Sequence, residues 1–193
     1  MFLLPAHATL PLFGNDPSVA LGGNLLTNSD ITSSSATLHF SPNGIFVLGV
    51  GGSSGESTSG HSVSGYGASI GFFPTTLSDD KIPIIIGLEF GISIFSSGST
   101  SIYGKSGGLI IGGFAEFEMF SIQPELVFAA TSITAADNTG VWTSSPTTGS
   151  ILMSVPFAFE MGKNSFLLIG PAVGIADGTP VYGASVELNF KMD

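Results

Sequence analysis

The sequence predicts an all-β chain that closes into an antiparallel up-and-down transmembrane β-barrel of about ten strands, with eight as the alternative count. Three observations predict it. Hydrophobic residues make up 43% of the chain and the mean hydropathy is +0.49, yet the longest apolar run, Ile82 to Phe95, is interrupted by Glu89. That run falls short of the roughly eighteen residues a spanning helix needs. The second observation is a two-residue alternation of apolar and small or polar side chains in most segments. The third is composition: 27 Gly and 16 Phe, with abundant Ser and Thr, favour strands and turns over helices. An apolar chain without spanning helices satisfies its backbone in lipid by closing its strands into a sheet with no free edge.

At 193 residues the chain suits one domain. Residues 17–193 are assigned to the barrel and residues 1–16 to an N-terminal tail or signal remnant. Ala6-His7-Ala8 has the small-x-small form of a signal-peptidase site, but no basic region precedes it. Aromatic and aliphatic residues recur at regular spacing, which disfavours disorder. The lack of Cys excludes thiolate chemistry and fits export without disulfides. Fourteen acids against four Lys and no Arg leave a net charge of −10, which repels nucleic acid and anionic membrane surfaces and sets nucleic acid aside as a partner. No cofactor is expected.

Successive side chains of a strand face opposite sides, and a barrel wall in lipid needs apolar residues on one side only. Segment 83–95 shows this best: Ile84, Ile86, Leu88, Phe90, Ile92 and Ile94 share one face, and Pro83, Ile85, Gly87, Glu89, Gly91 and Ser93 the other. In the last strand Tyr182, Ala184, Val186, Leu188, Phe190 and Met192 alternate with Val181, Gly183, Ser185, Glu187, Asn189 and Lys191. The same dyad runs through 149–161, with Ile151, Met153, Val155, Phe157, Phe159 and Met161 outward, and through 165–177. Further strands are read at 65–73, 107–119, 121–130 and 44–51, with weaker candidates at 36–40 and 17–26. The expected lipid-facing set is Ile84, Ile86, Leu88, Phe90, Ile92, Val186, Leu188 and Phe190.

The connections alternate in length, as bacterial barrels require. Short links are read at Ser41-Pro42-Asn43-Gly44, around Phe120-Ser121 and at Gly162-Lys163-Asn164, with a moderate one at 74–82. Longer Ser/Thr/Gly-rich links are expected at 27–35, 52–64, 96–106 and 131–148, as exposed outer loops. With the last strand ending in the periplasm, Asp177-Gly178-Thr179-Pro180 turns outside and an upward strand is required at 17–26. This parity favours ten strands.

From residue 107 the chain carries Gly113-Phe114-Ala115-Glu116-Phe117, Ser121-Ile122-Gln123-Pro124-Glu125-Leu126, Val155-Pro156, Gly170-Pro171-Ala172-Val173-Gly174 and a final alternating strand. This order resembles the porin-like outer-membrane β-barrel family of Bacteroidetes and relatives, the PorT-like family. The resemblance implies a bacterial outer-membrane barrel and carries no catalytic residues to transfer. Glu118 and the absence of Arg depart from that family, whose inner wall usually holds basic residues. Pro124, Pro156 and Pro171 interrupt apparent strands, and local bulges are the expected explanation.

By alternation Glu89, Glu116, Glu118, Glu125, Glu160 and Glu187 point into the lumen, and all but Glu89 lie toward the periplasmic end, with Lys191 as the plausible internal cation and Lys163 at a nearby turn. The cluster Glu116, Glu118, Glu125, Glu160 and Glu187 is either a candidate cation site of hard oxygen ligands or a proton-sharing polar plug. His7, His39 and His61 show no metal-ligand spacing, so no metal site is expected. No Ser is marked as activated, which leaves catalytic residues at none. Asp79-Asp80-Lys81 reads as a solvated turn, and Gly49-Val50-Gly51-Gly52 as a strand end without the Lys-Ser of a phosphate loop. Trp142 and Tyr103 suit an interfacial girdle.

Three functions follow: a structural or interaction barrel, a small cation-preferring pore, or a lipid-modifying enzyme, with the first preferred. The partners implied are outer-membrane lipids, proteins meeting the outer loops or the barrel wall, and further copies in a homo- or hetero-oligomer.

Overall fold

The computed structural model describes residues 16–79, 82–117, 120–136 and 142–192. Its backbone forms one ladder. We number the wall strands β1 (Ser18–Thr27), β2 (Ile31–Ser41), β3 (Phe46–Ser57), β4 (Ser62–Asp79), β5 (Ile82–Ser97), β6 (Thr100–Gly113, continued by Ala115–Glu116), β7 (Ser121–Ile122, then Glu125–Ala136), β8 (Trp142–Ser144, Thr148–Ser154 and Phe157–Gly162), β9 (Ser165–Ala176) and β10 (Thr179–Lys191). Each pairs antiparallel with its sequence neighbour, and β10 returns to β1 through Ser18↔Lys191 to Thr27↔Tyr182, so the ten-stranded barrel is closed. Closure leaves no edge to be solvated, which is the condition for placing strands in lipid.

The register sets the width. From Lys191 it passes through Ser18, Ser41, Val47, Gly71, Glu89, Gly108, Ala129, Ser150 and Ala176 and regains β10 at Thr179. That is a stagger of twelve residues, 191 less 179. With ordinary strand spacings it corresponds to a tilt of about 40° and a Cα radius of about 10 Å. A wall of this radius leaves an interior that large inward side chains can occupy.

At the end where β1 begins and β10 finishes, the β2–β3 turn is held by its own side chains. Ser41 Oγ accepts from the Gly44 N–H at 2.9 Å, and Asn43 Oδ1 accepts from Ile45 and Phe46 at 3.1 Å each. Gly44 takes a φ of 69°, which a side chain would resist. At the opposite end Asp177 (φ 50°) and Gly178 (φ 75°) make a two-residue hairpin with both central residues left-handed, the turn whose twist matches paired strands.

The expected long links at 27–35, 52–64 and 96–106 are mostly ladder. β1–β2, β3–β4 and β5–β6 are joined by tight turns at 28–30, 58–61 and 98–99, and the Ser/Thr/Gly segments extend the strands beyond the apolar belt. The ladder is made by the backbone, so a polar side chain does not end it; Ser34 and Ser54 hydrogen-bond across it at 3.1 Å. In the fourth expected link, 131–136 and 142–148 are likewise largely paired, and 137–141 lie outside the described residues. So do residues 1–15, 80–81 and 118–119, with Asp80-Lys81, Glu118 and the Ala6-His7-Ala8 motif.

The prolines sit at irregularities. β7 is broken at Gln123-Pro124 and β8 at Val155-Pro156, and the proline carbonyls still accept: Pro124 from Gly113 at 2.9 Å, Pro156 from Gln123 at 3.0 Å, Pro171 from Val155 at 3.2 Å. Gly170 admits the Pro156 backbone, since a Cβ there would lie 2.3 Å from Pro156 Cα. β4 carries a bulge between Phe72 and Thr75, where Phe73 and Pro74 oppose Gly87.

Candidate functional site

The site must lie in the lumen, at the rims or on the outer wall, and each is built by alternation. Side chains at the centre of the lumen are mostly apolar. Val47 (2% exposed), Phe73, Ile85, Ile110 (0%) and Val127 pack as one cluster, flanked by Ala129 and Leu152. A second cluster joins Leu26, Ala172, Ala176 and Val181, and a third Phe95 and Ile102. Phe73 lies on Gly87: a Cβ on that glycine would come 2.2 Å from the ring. Parity along 65–73 and 83–95 placed Phe73 and Ile85 on the inner face; the cluster that joins them to Val47, Ile110 and Val127 is assembled from five successive strands, β3 to β7.

Polar side chains inside gather mainly toward the end that carries Ser18 and Asn189. Ser18, Thr37, His39, Ser41, Ser69, Glu187 and Asn189 are all buried there. His39 lies over Gly49 beside Ser69, with a Cβ on Gly49 placed 2.9 Å from its ring and 2.6 Å from Ser69 Oγ. Glu187 reaches across Gly22 toward Thr37, and its Oε1 accepts from Asn189 Nδ2. Glu89 is buried between Gly71 and Gly108 in register, where the missing side chains make room for it.

The expected acids differ in burial. Glu187 is buried and Glu125 half-buried, Glu116 and Glu160 are exposed, and Glu118 lies outside the described residues. Glu160 adjoins a register shift before Gly162, and Glu116 belongs to the short continuation of β6 at the rim. No group of three or more His or acidic side chains suited to a metal occurs among the described residues. Lys191 pairs with Asp16 at 2.5 Å, both substantially exposed. Sequence parity identifies a side of the wall but not how far a side chain there is covered, and burial separates Glu187 from Glu116 and Glu160.

The opposite rim is rich in hydroxyls held on rigid hairpins. Thr27 and Thr32 meet at 3.0 Å, Ser57 and Ser59 at 2.9 Å, and Ser59 contacts His61 Nδ1 at 3.1 Å. The Thr58 N–H donates to the Asp30 carbonyl at 2.8 Å, tying the β3–β4 turn to the β1–β2 turn. These groups are exposed, so water solvates the Ser–His pair.

The outer wall is apolar. Ile84, Leu88, Phe90, Ile92, Val186 and Phe190 are exposed on it, and Ile86 and Leu188 are half-buried. Leu21, Leu48, Ile151, Ile169 and Ile175 continue the belt. All three Tyr (66, 103 and 182) and the single Trp, Trp142, are exposed in the half bearing the hydroxyl rim, and Tyr103 and Trp142 are in ring contact at 5.2 Å. Phe46 and Phe72, and Phe117, Phe120 and Phe157, make ring contacts at the other end. Two aromatic girdles flanking an apolar band are the form a barrel wall takes in a bilayer.

No protein-family model and no curated protein sequence matches the chain. Among solved structures it is similar to the translocator domain of the autotransporter NalP from Neisseria meningitidis, at 10% identity over 95% of this chain and 91% of that one, with a TM-score of 0.52. It is also similar to the beta domain of the Bordetella autotransporter BrkA, at 11% identity over 92% and 99%, with a TM-score of 0.51. Neisserial surface protein A matches at 9% identity over 91% and 97%, with a TM-score of 0.47. At these identities the likeness to the two autotransporter domains shows the fold, which is that of bacterial outer-membrane β-barrels.

Proposed function

We propose that the chain is an outer-membrane barrel of the PorT-like type that serves as a structural or interaction protein, anchored by its apolar wall and presenting the hydroxyl rim to partners outside the cell. The packed lumen carries this reading. Val47, Phe73, Ile85, Ile110 and Val127 form a buried apolar cluster inside the wall, which supports a largely filled interior and a barrel that acts from its surfaces. The same packing disfavours the cation-preferring pore, because Glu187 is engaged by Asn189 rather than aligned along an open channel. With both strand ends of the β1–β10 seam in the periplasm, the tight Ser/Thr turns face outward.

The test has two arms. Purified barrel in planar bilayers should give no sustained current, and stable cation-selective conductance would overturn the filled-lumen reading. The chain has no Cys, so Ser59→Cys on the rim is a unique attachment point for a photo-crosslinker in intact cells. Protein adducts should form from that position and not from Asn43→Cys at the opposite end. Adducts from Asn43→Cys alone would place the partner on the periplasmic side.

A further inference from the structure

The outer wall is not uniformly convex. Across β6, β7 and β8 the outward positions Gly107, Ala130 and Gly149 fall in one row, beside Phe90 of β5. The next row holds Leu88, Leu109, Phe128, Ile151 and Ile175. Small residues beside a row of large ones leave a groove of about 640 Å³ on the outer surface, lined almost wholly by apolar groups. A Cβ on Gly149 would touch nothing within 4 Å, so the floor is open there. The volume is within the range of about 300–1,000 Å³ typical of small-molecule sites.

A cation stands at one end of this groove. Lys105, two residues from Gly107 on the same face of β6, is exposed on the outer wall, with Ile92 and Ser132 as its register partners. Tyr103, two residues further toward the rim, contacts Trp142. A charge on a lipid-facing wall is unfavourable unless it reaches the headgroup region or a counter-anion. Of the other described lysines, Lys191 pairs with Asp16 and Lys163 lies in the β8–β9 turn, both at the far end of the barrel.

We infer that this groove binds one acyl chain of an anionic, phosphate-bearing lipid, with the chain lying over Gly107, Ala130 and Gly149 and the phosphate on Lys105. Charge complementarity selects the occupant: Lys105 is exposed, its register partners are Ile92 and Ser132, and its neighbours on the same face of β6 are Tyr103 and Gly107, so no acidic side chain at these positions competes for it. The Tyr103–Trp142 pair marks the headgroup level, which places Lys105 where a phosphate lies and the groove where the chain descends. The inference rests on the membrane-barrel reading, and its test separates the two.

Trp142 is the only tryptophan and reports from the groove's headgroup end. The full barrel is reconstituted in phosphatidylcholine vesicles doped with phosphatidylglycerol or phosphatidylcholine carrying bromines in the upper acyl chain, and Trp142 quenching is read at matched mole fractions. The brominated anionic lipid should associate about fivefold more strongly than the zwitterionic one, the effect of one lysine near a headgroup. Lys105→Gln should abolish the preference, Lys105→Arg should keep it, and Ala130→Phe, which fills the floor, should weaken association of the anionic lipid. Equal quenching by both lipids in the parent, or a preference that survives Lys105→Gln, overturns the inference while leaving the barrel in the bilayer. Equal quenching that strengthens as the protein is diluted in lipid would assign the groove to a second copy and also overturn it. No quenching by either lipid would overturn the membrane reading itself.

Discussion

The contact between Phe73 and Gly87 is the closest approach of a side chain to a glycine among the described residues and can be tested as a pair. Phe73 is 3% exposed and sits in the β4 bulge, and a Cβ on Gly87 would fall 2.2 and 2.3 Å from two of its ring carbons. Normal contact begins near 3.4 Å, so Gly87→Ala requires the ring to move by more than an ångström into a close-packed interior. Such overpacking costs about 1–3 kcal/mol. Phe73→Ala removes a buried ring and leaves a cavity at a cost of about 3–5 kcal/mol. In the Phe73→Ala background the added methyl meets no ring, so Gly87→Ala should cost little there, and the coupling should recover most of the roughly 1–3 kcal/mol. Gly149→Ala, with no atom within 4 Å, is the control and should shift stability by no more than about 0.5 kcal/mol. Urea titrations of the barrel in phospholipid vesicles, followed by Trp142 fluorescence and by the gel mobility of the folded form, give all four corners of the cycle. If Gly87→Ala is neutral beside Phe73, or costs the same without it, the packing described for the lumen is wrong.

Three further outcomes are expected. Leu88→Lys places a charge on the exposed apolar wall and should lower stability in bilayers by about 2–4 kcal/mol if the position is near the midplane, measured by the same titration; a cost near zero would mean that this face does not meet lipid. Asn189→Ala removes a donor from the buried Glu187 carboxylate and should cost about 1–3 kcal/mol, whereas Ser34→Ala on the exposed rim should be near neutral; equal effects would show that Glu187 is solvated. Gly178→Ala strains a left-handed position in the β9–β10 hairpin and should destabilise by about 1 kcal/mol, while Gly178→Asn, which tolerates that conformation, should cost less when the two are compared in denaturant.

Much of the wall is legible in the order of the amino acids. The alternation from Ile84 to Ile94 identifies β5 within a few residues at either end, and the parity of the turns requires β1 although its own pattern is weak. Alternation succeeds because a strand has a period of two and a bilayer makes one face apolar. The rim is less legible: Ser33-Ser34-Ser35 and Ser53-Ser54-Gly55 read as loop, yet they are ladder, because the bonds that hold them are between backbones and the apolar signal ends where the lipid does. The row Gly107, Ala130 and Gly149 carries no signal at all, since its members are far apart in sequence and become neighbours only through the register.

The sequence by itself determined an antiparallel barrel, its approximate strand count and the side of the wall to which each residue belongs, since each of these depends on local periodicity and the need to satisfy the backbone. Only the tertiary structure decided the height of each side chain along the axis. The stagger of twelve residues, the β4 bulge and the proline breaks set those heights. They put Phe73 on Gly87, left Glu116 and Glu160 exposed, and set Glu187 against Asn189. A pattern of period two carries no information about such offsets, which arise from pairings between strands.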